Sequence, residues 1–252
     1  SCAPLLSLPS PVDGDQIERI HQWRYFFKRV LVYSQKSKSK LINHWEKLIA
    51  SNSFSSFQIE QAYATITAQL LGIPYSPTLS WVQHPEGVIP AETKGYWNLM
   101  QTPFIEWQIE IATLWIFIGL LSKDPKLIMM SHKFATWLST LTDFRGKPYR
   151  AFLNLDNQNA HLKNLAWQAV LFHLISKAAS DASLAYLARH YFKDLIELEI
   201  SQQQHLPETP FLFLKFGDSL LKNEITPEEK KLENQSVGTH LPYGNLKGQK
   251  SS

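Results

Sequence analysis

Residues 102–141 read TPFIEWQIEIATLWIFIGLLSKDPKLIMMSHKFATWLSTL, and this stretch decides the fold class. Thr102-Pro103 supplies a cap with proline at the first helical position, and apolar residues up to Leu121 surround the helix axis instead of forming a stripe. Such a helix belongs at the centre of a core, with Ile111, Leu114, Trp115 and Ile118 among its most buried residues. Ser122-Lys123-Asp124-Pro125 then makes a tight connection with Asp124 as N-cap. Leu127, Met130, Phe134, Trp137 and Leu141 form the facing stripe of the next helix. A connection this short forces the helices over 104–121 and 125–141 to pack antiparallel.

The same grammar recurs downstream. A helix is predicted from about Gln158 to Ala179, then a cap at Asp181, then Leu184, Leu187, Tyr191, Leu195 and Leu198 on one face of a second helix. The two hairpins begin near residues 104 and 158, a repeat of about 54 residues and longer than the roughly 34 of a tetratricopeptide unit. Upstream, Ile17, Ile20, Trp23, Phe27, Val30 and Leu31 have helical spacing, as do Ile59, Ala62, Tyr63, Ile66 and Leu70, with a shorter helix around Leu41 to Ile49 between them. From Gly72 to Gly95 the prolines Pro74, Pro77, Pro85 and Pro90 predict a long ordered loop. Beyond Pro210 a shorter helix runs through Leu221, and Thr226-Pro227-Glu228-Glu229 reads as a capping box on a final stub. The division is therefore a Pro/Ser-rich linker over 1–15, one all-α domain of antiparallel hairpins over 16–222, and a flexible tail over 223–252.

Of the 252 residues, 44% are hydrophobic and 19% charged, which supports one sizeable core. The longest uninterrupted apolar run, Ile111 to Leu121, is shorter than a bilayer span, and no transmembrane segment is expected. A net charge of +3 slightly favours anionic partners, but the cations are scattered and nucleic acid is not expected. Cys2 is the single cysteine, so no internal disulfide can form. Ser1-Cys2 followed by the Pro/Ser-rich Ala3 to Pro11 looks like the junction of a bacterial lipoprotein, which would put a lipid anchor at Cys2 and the protein in the periplasm or cell envelope; the other reading is an incidental cysteine. The histidines show no metal-ligand spacing, and neither a metal nor a cofactor is predicted. No GxGxxG, GxxxxGK[ST] or GxSxG supports a dinucleotide, P-loop or serine-hydrolase reading.

Asn157, His161, Asn164 and Gln168, at spacings of four, three and four, share one face at the start of an otherwise apolar helix. Facing a cavity, such a stripe could bind sugar oxygens, with the helix N-terminus favouring a carboxylate. The alternative is the solvent face of an amphipathic helix. Trp115, Trp137 and Trp167 fit a core, whereas Trp81 and Trp97 in the loop fit ligand contacts.

The segment Asp156-Asn157-Gln158-Asn159-Ala160-His161-Leu162-Lys163-Asn164-Leu165-Ala166-Trp167 resembles the asparagine-histidine motif of the alginate lyase and heparinase-like families, whose fold is an α/α toroid. The order of parts is also similar: the motif opens a long helix, another helix follows, and Pro207-Glu208 comes next. Trp107 to Trp137 resembles the helix pair that precedes the motif, and the likeness extends over roughly residues 97 to 222. It implies a toroid or partial toroid, and an exported protein that binds or β-eliminates an acidic polysaccharide. Asn159 and His161 would then neutralise the substrate carboxylate, and a tyrosine or histidine would serve as base. Ala160 separates the asparagine from the histidine, which are adjacent in those families, and Phe211 and Phe216 stand where an arginine and a tyrosine are expected. Tyr149 and Arg150, in the loop before the motif, could substitute as base and carboxylate contact. The catalytic set is thus incomplete, and weak elimination or glycan binding without turnover is expected. The competing function is a non-enzymatic helical scaffold for a protein partner.

Overall fold

The computed structural model describes residues 14–33, 37–51, 57–77, 80–90, 105–141, 158–202 and 206–224. Among them are eight α-helices and no strand: α1 (Gly14–Tyr33), α2 (Lys38–Ser51), α3 (Gln58–Leu71), α4 (Ile105–Ser122), α5 (Pro125–Ser139), α6 (Gln158–Ala178), α7 (Ala182–Gln202) and α8 (Glu208–Glu224). The chain is all-α, built on the two expected hairpins. Helix α1 begins at Gly14 and α8 ends at Glu224, each reaching two residues into the expected linker and tail; residues 1–13, the cap Thr102-Pro103, the stub at 226–229 and the rest of the tail from 225 lie outside the described residues.

Both hairpin turns are made the same way. Asp124 N–H returns to Gly119 O at 2.9 Å and Asp181 N–H to Ser176 O at 2.9 Å, and the residue before each aspartate is left-handed, Lys123 at φ 54° and Ser180 at φ 54°. Each aspartate then caps the following helix: Asp124 accepts from Lys126 N–H at 2.9 Å, and Asp181 from Ser183 and Leu184 N–H at 2.9 and 3.0 Å. These bonds satisfy amides that α5 and α7 would otherwise leave open.

Helix α4 is surrounded by α3, α5, α6 and α8, and this explains its lack of a polar face. Leu114 and Trp115 have no exposure, and Ile111 and Ile118 have 1% and 3%. Among the described residues α4 is also the one helix long and apolar enough to cross a bilayer, and 72% of it is buried within the fold. Its burial accounts for its composition.

Helices α4, α6 and α8 run parallel. Lys163, near the start of α6, pairs with Glu106 at the start of α4, and both share a cleft with Thr209 at the start of α8. At the other end, Gly119, Leu120, Ala178 and Asn223 come together around a second groove. Helices α5 and α7 return on the outside. Helix α1 closes the group between α8 and α3: Phe27 sits 5.2 and 5.9 Å from the rings of Phe213 and Phe216 and 5.8 Å from Tyr63. Close approach there needs Gly217, where an added Cβ would stand 2.5 Å from Leu174 Cδ2 and 2.8 Å from Phe117 Cε1.

The segment after α3 contains no helix over residues 73–77 and 80–90, and two buried glutamines hold it. Gln58 donates to Val82 O and Pro90 O at 2.9 and 2.8 Å and accepts from Val82 N–H at 2.9 Å. Gln108 accepts from Ile89 N–H at 3.0 Å. Proline-rich backbone without ladder partners is thereby satisfied from the N-terminal ends of α3 and α4.

Candidate functional site

An acidic residue in a helix with no polar face needs a partner, because an unpaired buried carboxylate costs several kcal/mol. Glu110, with no exposure, finds two. Arg24 of α1 donates through Nε to Oε1 at 2.8 Å and through Nη2 to Oε2, a fork-to-fork pair, and the Tyr63 hydroxyl donates to Oε1. Burial works against the charge on Arg24, but Glu110 outweighs it and holds the guanidinium pKa above its ordinary value. Burial, with the Glu110 charge beside it, pushes the Tyr63 phenol well above its usual range, so it stays protonated. Nearby, Arg19 Nε donates to Glu60 Oε1 at 3.0 Å.

Arg24 of this group also lines a cleft of about 230 Å³. His21, Arg24, Tyr25 and Lys28 of α1 line one side, and Glu106, Lys163, Trp167 and Thr209 line the other. Lys163 Nζ lies 2.6 Å from Glu106 Oε1, while Lys28 and His21 form no ion pair or hydrogen bond with the side chains of other described residues. Trp167 brings an indole whose buried N–H has no partner. With Arg24 offset by Glu110 and Lys163 by Glu106, Lys28 is the uncompensated cation among the described lining residues, and the N-terminal turns of α4 and α8 add their positive ends. The cleft can therefore hold a small anion, with hydrogen-bond donors on several sides.

The residues expected from the sequence divide among several places. Asn157, Tyr149, Arg150 and Trp97 lie outside the described residues. Asn159 and His161 belong to the first turn of α6. Helical register puts positions 159 and 161 about 200° apart, so they do not share a face. Position 159 falls in register with Lys163 and Trp167, which line the cleft, and position 161 with Asn164 and Gln168. Asn164 and Gln168 are buried, at 6% and 1% exposure, so the solvent-face alternative fails at both; Asn164 Oδ1 and Gln168 Nε2 have no hydrogen-bond partner. Trp81 is half-buried with its ring edge-on to Trp115 at 5.9 Å, which ties it to the core. Trp115 and Trp167 are fully buried and Trp137 partly so. Among the described residues no three His, Cys, Asp or Glu side chains gather as a metal ion would require.

Arg24, Lys28, Tyr63, Glu106, Glu110 and Lys163 were not singled out by the sequence reading. The sequence signal at Glu110 is a carboxylate between Ile109 and Ile111 in a helix with no polar face, which calls for a buried partner without saying which one. Compared with known proteins, the chain matches no protein-family model, and no curated protein or solved structure is significantly similar to it.

Proposed function

We propose that the chain is an exported acidic-glycan-binding protein related to the toroidal polysaccharide lyases, and that the cleft between α1 and the N-terminal halves of α4, α6 and α8 receives a sugar carboxylate. The observation that carries this reading is the convergence of the N-terminal turns of α4 and α8 with Arg24, Lys28 and Lys163 on one cleft beside Trp167. Parallel inner helices with outer return helices are also the arrangement of a partial α/α toroid, whose sites lie where inner helices meet. Lys28 and the helix ends would neutralise the carboxylate, and Thr209 with His21 would meet hydroxyl groups. Binding is favoured over β-elimination, because the one tyrosine hydroxyl in contact with the charged group, Tyr63, is held protonated and donates to Glu110.

Titration calorimetry with mono- and oligosaccharides of alginate, heparan and related polyuronates tests the reading. Saturable, salt-sensitive binding weakened by Lys28→Ala or Lys163→Ala is the expected result. Lack of binding to every acidic saccharide would leave the scaffold reading, for which the exposed Ile17, Tyr25, Val32 and Tyr33 on α1 would be the contact face.

A further inference from the structure

Helix α2 carries Lys40, Asn43, His44 and Lys47 at intervals of three and four, so they share one face. With Leu48 they line an open groove of about 600 Å³ that contains no carboxylate. The side chains of Lys40, Asn43 and Lys47 make no hydrogen bond or ion pair among the described residues, and both lysines are exposed. Burial, with Arg29 and Lys47 nearby, lowers the pKa of His44, as expected where cations crowd without counter-charge. A neutral imidazole can both donate and accept, as binding to sugar hydroxyls requires.

The groove adjoins the cleft through α1. Tyr25 and Lys28 line the cleft, Arg29 lies with its guanidinium carbon 5.9 Å from the centre of the Tyr25 ring, and the Phe26 ring is 4.9 Å from that of His44. Tyr25 is 63% exposed, leaving surface free for stacking. At about 230 Å³ the cleft is below the usual size of a ligand pocket, so a chain whose acidic residue enters it must continue outside. We propose that Tyr25, Arg29 and the α2 groove form a second subsite, which carries the same acidic polysaccharide chain beyond the residue held in the cleft. This rests on the acidic-glycan reading of the cleft. Single-stranded nucleic acid fits less well, since it is held by several aromatic side chains along the path and here Tyr25 is alone.

The test is titration calorimetry of the full chain with a uronic acid monomer, dimer and hexamer. The hexamer should bind on the order of tenfold more tightly than the dimer. The exposed double substitution Lys40→Ala/Lys47→Ala should abolish that gain and leave monomer and dimer affinity unchanged, while Lys28→Ala weakens all three. Circular dichroism of the double variant checks that α2 is intact. Equal affinity for dimer and hexamer in the unsubstituted protein, or a hexamer affinity indifferent to the double substitution, overturns the second subsite while leaving the cleft. Failure of monomer and dimer to bind, with hexamer binding still dependent on Lys40 and Lys47, overturns the cleft reading and the shared chain with it. Tighter binding of a single-stranded oligonucleotide than of the hexamer at Lys40 and Lys47 also overturns the proposal.

Discussion

Arg24 and Glu110 are 86 residues apart in sequence and meet in a two-bonded ion pair between α1 and α4, with the carboxylate at zero exposure and the arginine side chain at 15%. The pair joins the helix that closes the fold to the helix at its centre. Removing one partner leaves a buried charge, so Glu110→Ala should cost about 3–5 kcal/mol in urea unfolding. Replacing both, as Arg24→Met with Glu110→Leu, should recover most of that loss. A single substitution costing below about 1 kcal/mol would show that water reaches Glu110.

Gly217→Ala tests the contact between α8, α6 and α4. In an exposed helix the change would stabilise by roughly 1 kcal/mol through helix propensity. Here the new methyl would meet Leu174 Cδ2 at 2.5 Å and Phe117 Cε1 at 2.8 Å, and overpacking of this kind costs about 1–3 kcal/mol. The expected outcome is a lower urea midpoint. A gain in stability would mean that α8 is packed more loosely than Phe117 and Leu174 require.

The contrast between the two kinds of contact explains what was legible in the sequence. The hairpin turns were legible because Asp124 and Asp181 act on amides two or three residues away, so cap and helix appear in one window. The burial of α4 followed from its composition in the same way. The Arg24–Glu110 pair, and the pinning of the 80–90 segment by Gln58 and Gln108, depend on which helices become neighbours, and no local pattern encodes that. The polar stripe of α6 was half legible: spacing placed Asn164 and Gln168 together, but burial of their face comes from neighbouring helices. Asn159 and His161 were expected together on one carboxylate from the resemblance, although residues two apart face away from each other on a helix.

Two carboxylates with depressed pKa values, Asp181 and Asp218, contribute to the acid limb of stability. His132 Nε2, 2.8 Å away, and the Leu184 amide hold the Asp181 pKa below the ordinary 3.8. Burial pushes Asp218 up, but Lys177 at 2.8 Å and His173 at 3.0 Å outweigh it and leave its pKa below 3.8 as well. Both native values are depressed, so the unfolded chain binds more protons in acid. Their contribution is complete above about pH 5 and is lost as pH falls through the unfolded value near 4 toward the native ones. Urea midpoints measured against pH should decline below about pH 5, and Asp181→Asn with Asp218→Asn should flatten that decline. An unchanged acid limb in the double variant would assign it to other carboxylates.

The start of α6 separates the elimination reading from the binding reading. Elimination as implied by the resemblance needs positions 159 and 161 on one carboxylate, and a turn of about 200° between them opposes that. Position 159 is in register with Lys163 and Trp167 in the cleft, and position 161 with Asn164 and Gln168 in the interior. Asn159→Ala should therefore weaken acidic-saccharide binding several-fold, whereas His161→Ala should act on stability and leave affinity within about twofold. No near-ultraviolet absorbance from an unsaturated uronate should develop with any polyuronate. If it does, and His161→Ala lowers its rate by about 10² or more, then His161 stabilises developing charge and the helical register of the first turn has been read on the wrong side.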